Sequence, residues 1–276
     1  MSKWPKGRNL VVSSQTDLSI FPENQKSDLQ KSDLDGHKVI KADFSSSKTT
    51  IAGLPAIDFL GDGSLFLLDS PGHLQGHMTA IVRTTPTSFI VLGADSFHHV
   101  GAIRPNGEFQ ANIPCPRDLL EFAKNGISTD FFWSTNTQPG RFDLPSRTQP
   151  FFSLSDTADS FFVDPRKGQL TADRLAVLDG DKDFLTLITH DLSIASGALP
   201  LATSLENWQK DGLKEKLAWL FVDQKNPAFL FSPAESQSSL DREYADCVQT
   251  CAANRRSVGP KEKTERSIGM DWDTLF

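Results

Sequence analysis

Residues 55–84 read PAIDFLGDGSLFLLDSPGHLQGHMTAIVRT, and the fold follows from how this stretch divides. The first part predicts two strands joined at Gly61-Asp62-Gly63, because paired glycines between apolar runs are a hairpin signal. MTAIVRT predicts a further strand. Between them lies DSPGHLQGH, residues 69–77, a Pro-Gly turn holding two of the six histidines of the chain. Proline fixes its own φ and glycine allows a sharp bend, so a side chain on this turn is pre-aimed.

Working outward, KVIKADF predicts a strand before this block and SFIVLGAD one after it. Short, regular spacing predicts a meandering sheet, with the apolar run 89–92 buried on both faces. DFLTLITHD predicts another strand, ending near His190. Helices are expected at CPRDLLEFAKNG, at LTADRLAVLDG with Thr171 as cap and Gly180 as stop, and at SLENWQKDGLKEKLAWLFVDQ. The last carries a stripe of Leu213, Leu217, Trp219, Leu220 and Phe221. Residues 127–165 are rich in Phe, Pro and Ser and resist assignment. Strands followed by helices predict an α/β or α+β layered fold. Three units are expected: an irregular segment 1–36, a domain 37–235, and a polar, disordered tail 236–276.

The chain has 276 residues, a net charge of −7 and 23% charged residues. Acidic balance and the lack of a Lys/Arg stripe argue against nucleic acid or an anionic membrane as partner. No apolar run reaches a membrane span, and MSKWPKGRNL lacks the apolar core of a signal peptide, so a cytoplasmic protein is expected. Three cysteines, Cys115, Cys247 and Cys251, give no disulfide framework. The CxxxC pair at 247 and 251 suits one helical face as well as a metal pair.

His73, Asp95 and His190 each follow an apolar strand. Imidazole and carboxylate are ligand types for zinc, iron or manganese, and a bound ion brings the pKa of water towards ~7. Taken singly, each has an ordinary reading as a hydrogen-bonded loop residue.

DSPGHLQGHMTAIV, FIVLGADSFHH and DKDFLTLITHD, in that order, resemble the metallo-β-lactamase superfamily, in particular its fungal, lactonase-like branch. LENWQKDGLKEKLAWLF resembles the C-terminal segment of that branch. The resemblance covers roughly residues 37–231 and implies an αββα sandwich with zinc, one or two ions, at one edge between the sheets. It implies that His73 completes the first metal site, that Asp95 bridges two ions and helps hold the attacking water, and that His190 belongs to the second site. His77 would support the turn by hydrogen bonding. His98 and His99, near the same rim, would contact substrate or support the ligands. The implied activity is hydrolysis of a lactone, ester or thioester, with a small molecule as partner.

The family's HxHxDH motif is absent, and the only histidine before the turn is His37. The resemblance therefore implies an N-terminally incomplete domain: a truncated gene model, a decayed paralogue, or a fragment completed by a complementing chain. Weak or no zinc binding and little or no activity are expected, since His73 and His190 would approach two ions ~3.5–4 Å apart from opposite sides. The rival reading is a non-catalytic structural or interaction protein that keeps the sheet.

Overall fold

The computed structural model describes residues 5, 7–27, 29–110, 113, 127–128, 133–134, 149–156, 160–195, 199, 203–223, 225–229 and 232–233. Cys115, Cys247, Cys251, the helix expected at CPRDLLEFAKNG and the tail 236–276 lie outside the described residues.

Short apolar segments form a run of strands: β1 (Asn9–Ser13), β2 (Lys38–Ala42), β3 (Thr49–Ile51), β4 (Leu54–Asp58), β5 (Leu65–Asp69), β6 (Met78–Arg83) and β7 (Phe89–Leu92). Then come the two-residue strands β8 (Ile127–Ser128), β9 (Trp133–Ser134) and β10 (Phe152–Ser153), β11 (Phe184–Leu187), and β12 (Ser232–Pro233). Among the described residues the helices are α1 (Lys31–Leu34), α2 (Pro165–Gly180), α3 (Leu192–Ala195) and α4 (Leu213–Leu217).

Six strands form one mixed sheet in the order β11-β7-β6-β5-β4-β3. Neighbours from β3 to β7 are antiparallel, and β11 joins β7 in parallel. The parallel step needs a crossover, and α2 lies within it. The sheet is thus mixed and flanked by helix.

Both faces of the sheet are covered, which explains why β5 reads as nearly continuous apolar sequence. Side chains alternate between faces. Leu68, Ile81 and Val91 face α2 and join Ala172, Leu175 and Leu178 in the largest core cluster. Leu65, Leu67 and Ala80 face the other way, onto Ala42 and Phe44, with Val11 packed alongside. Fully burying each such leucine contributes about 1.5–3 kcal/mol. A third cluster holds Ile90, Leu185 and Leu187 against Trp208 and Leu217.

Three local findings refine the expectations. First, the segment 1–36 carries short structure, with β1 pairing in parallel with β2. Second, α2 begins at Pro165, capped by Asp164, whose side chain accepts from Lys167 N. Thr171 lies inside the helix, and its hydroxyl donates to Pro71 O at 2.8 Å. Proline suits the first helical position because its missing N–H has no partner there. Third, the stripe at 204–224 is not one helix. Gly212 has φ 62°, α4 spans five residues, and a 3-10 turn follows at Leu220–Val222.

Candidate metal centre

The strand directions bring the three ligand-type residues to one edge. β6 runs against both β5 and β7, so β5 and β7 point the same way, and β11 runs parallel to β7. The C-terminal ends of β5, β7 and β11 therefore share an edge. His73 follows the first of these ends, Asp95 the second and His190 the third.

The turn after β5 is clamped against the start of α2. Gly72 O and His73 O accept from Asp164 N and Val163 N at 2.9 and 3.1 Å. Gly72 has φ 138°, and a Cβ there would sit 2.2 Å from Gly168 Cα. Only glycine permits that approach. The turn after β7 is also constrained: Ala94 takes φ 46°, a left-handed conformation that costs a residue with a Cβ about 1–2 kcal/mol. Ala94 O accepts from Thr189 N at 3.1 Å, tying this turn to the segment that carries His190.

Asp95 lies between imidazoles. Its Oδ1 is 3.2 Å from His190 Nε2 and its Oδ2 is 3.5 Å from His73 Nε2. Burial opposes ionisation of Asp95, but the close approach of His190 and the charges of His73, His190 and His98 prevail. Its carboxyl is held well below the usual range. His73 is buried and His190 is exposed.

His98 packs against two of the three ligand-type groups. Its ring centroid is 5.1 Å from His73 and 4.9 Å from His190. One ligand atom each from Asp95, His98 and His190 lie within 4.8 Å of one another. Phe162 sets its ring edge-on to both His73 and His98, at 5.8 and 5.2 Å. His99 points away: its Nδ1 accepts from Gly101 N and its Nε2 bonds Ala228 O at 2.8 Å. The doublet His98-His99 is a signal in the sequence, but which ring faces the rim is set by the turn.

His77 sits behind the cluster. Its Nε2 accepts from Asp95 N at 3.1 Å, and its Nδ1 is 3.0 Å from both Ser70 O and Ser70 Oγ. Accepting at Nε2 fixes the neutral tautomer, with the proton on Nδ1. Burial pushes its pKa below the ordinary 6.5, against the opposing pull of Ser70 and Asp95. Ser70 Oγ then accepts from Thr79 Oγ1 at 3.0 Å, and Thr79 meets Ser96 Oγ at 3.1 Å. All three hydroxyls are buried. Sequence reasoning singled out none of them; each is a small polar residue beside apolar strand, with no pattern of its own. Asp69, at the end of β5, was also passed over. Its Oδ1 is buried without a hydrogen-bond partner, and burial raises its pKa against the pull of Lys167.

The donor set suits a divalent ion. Bonds of ~2.0–2.1 Å in a tetrahedral site place neighbouring ligand atoms ~3.3 Å apart. The Asp95–His190 and Asp95–His73 separations of 3.2 and 3.5 Å match that edge.

The chain is similar to a metallo-hydrolase of Annulohypoxylon moriforme, 30% identical over 222 residues, covering 75% of this chain and 52% of that protein. It is 30% identical over 237 residues to a gamma-lactamase of Fusarium pseudograminearum, covering 81% of this chain and 54% of that protein. It also matches the cytochrome P450 monooxygenase mpaDE of Penicillium brevicompactum, 28% identical over 228 residues, covering 80% of this chain but 24% of that protein. The chain spans about half the length, 52% and 54%, of the first two relatives. No family model and no solved structure matches. The chain is thus a distant homologue of fungal metallo-hydrolases and lactamases, with a candidate three-ligand metal site.

Proposed function

We propose that this chain carries part of the active site of a metal-dependent hydrolase that opens a lactam, lactone, ester or thioester carbonyl. The observation that carries the reading is Asp95, set between His73 and His190 where three co-directional strands end. A divalent ion held there would polarise the carbonyl and supply water ionised near neutral pH. In a two-ion arrangement Asp95 would bridge, with His73 and His190 on one ion each. The imidazoles keep Asp95 ionised, and the turn bonded to α2 keeps His73 in place. Phe162 closes one side of His73 and His98 to water. The six-stranded sheet would form one layer of an αββα sandwich, with β1 and β2 contributing to a second.

HxHxDH is not among these residues, so this chain by itself should turn over little or no substrate. The test is zinc content and hydrolysis of a γ-lactam and an aryl ester by the purified chain. Zinc retained by the wild type and lost on His190→Ala is expected, with turnover near background. Turnover abolished by His73→Ala would overturn the low-activity expectation. A folded chain that takes up no zinc would overturn the metal reading and favour a non-catalytic protein.

A further inference from the structure

We infer that this chain holds a single divalent ion through Asp95, His98 and His190, with His98 rather than His73 as the second imidazole. The inference rests on the metal reading above and changes its ligand set.

Geometry separates the two candidate imidazoles. Asp95 turns one oxygen to each side: Oδ1 lies towards His190, and Oδ2 towards His73. The ligand atoms that gather on one another are those of Asp95, His98 and His190, all within 4.8 Å. The Asp95–His190 edge, 3.2 Å, is already that of a tetrahedral site. His98 must close from at most 4.8 Å to ~3.3 Å, a displacement of at most about 1.5 Å.

His73 lies deeper than the other two: it is 4% exposed, and its backbone is hydrogen-bonded to the segment entering α2. The contact between Gly72 and Gly168 prevents the turn from sinking further. His98 is half-buried and His190 exposed, so this group of three reaches the rim whereas His73 lies beneath it. His73 instead holds Oδ2 and orients the carboxylate, as outer hydrogen-bonding groups orient metal ligands. Two imidazoles and one carboxylate leave coordination positions open to water, the arrangement of catalytic zinc sites and of non-haem iron sites.

The test titrates cobalt(II) into the metal-stripped chain and into His98→Gln, His73→Gln and His190→Gln. Glutamine at 73 can still donate towards Oδ2. The wild type should take up one equivalent with a tetrahedral visible spectrum. His98→Gln and His190→Gln should weaken binding by more than about 100-fold, while His73→Gln keeps the spectrum and loses at most about 10-fold, the range for outer supports. Thermal unfolding of each metal-free variant checks that it folds. Should His98→Gln not fold, paramagnetically shifted imidazole N–H signals in the cobalt-loaded wild type, assigned to His98 and His190 or to His73, decide the same question. Loss of the spectrum in His73→Gln with binding intact in His98→Gln overturns this inference alone. No cobalt uptake by the wild type overturns the metal reading with it.

Discussion

His77 accepts the backbone N–H of Asp95 on one nitrogen and donates a hydrogen bond to Ser70 O from the other. It therefore couples the turn after β5 to the turn after β7. Leaving such a buried donor unsatisfied costs about 1–3 kcal/mol, so His77→Ala should lower unfolding stability by that amount in urea. His77→Gln separates geometry from titration. Its amide oxygen can still accept from Asp95 N, but it cannot be protonated. Because His77 has a folded pKa below the ordinary 6.5, its unfolded form binds the proton first. Wild-type stability should thus be full above pH 6.5 and fall as pH drops below it, and the fall should be smaller in His77→Gln. His99, buried and shifted the same way, adds to the slope in both proteins. An identical pH slope in both proteins would show that His77 is not held neutral.

At the level of elements, the turn and α2 are built for each other. A Cβ on Gly72 would meet Gly168 Cα at 2.2 Å, and backbone cannot yield as a side-chain tip can. Gly72→Ala should cost about 1–3 kcal/mol or more, because overpacking and the loss of a positive φ act together. It should lower the melting temperature and weaken metal uptake in the same variant. Strands β4 to β7 were legible because short apolar runs are set off by turn signals such as Gly61-Asp62-Gly63 and Pro71-Gly72. β1 was not, since Leu10, Val11 and Val12 are consecutive and its partner β2 lies far along the chain. The stripe at 213–221 misled for a different reason. Leu217 packs with Trp208 in one cluster, whereas Trp219 and Phe221 enter another. One straight helix cannot serve two cores, and the left-handed Gly212 and the 3-10 turn redirect the chain between them. The placement of His73, Asp95 and His190 at one edge could be expected from their positions after strands, but the inward turn of His98 and outward turn of His99 could not.

The molecule as a whole is tied together by a buried polar hub that no sequence pattern announced. Arg104 donates to both oxygens of Asp179, at 2.9 and 2.8 Å, and both side chains are at most 1% exposed. Lys214 Nζ donates to the carbonyls of Asp179 and Asp181 at the end of α2, and lies 4.4 Å from the centroid of the Phe109 ring. Three segments distant in sequence meet here: the loop beyond β7, the end of α2, and α4. Arg104→Met would strand the Asp179 charge and should cost about 3–5 kcal/mol, much of it recovered in Arg104→Met/Asp179→Leu. Lys214 allows a test by pH. Burial, with Arg104 adding repulsion and Asp179 opposing, pushes its pKa from 10.5 down to about 8. Between those two pH values the unfolded chain holds a proton that the folded chain has released. Stability contributed through Lys214 must therefore rise as pH goes from 8 to 10.5, by up to about 3 kcal/mol. Urea unfolding of the wild type and of Lys214→Met across that range should show the wild type gaining on the variant. A constant difference between them would mean that Lys214 keeps its ordinary affinity for the proton, and that the hub holds a full positive charge at alkaline pH.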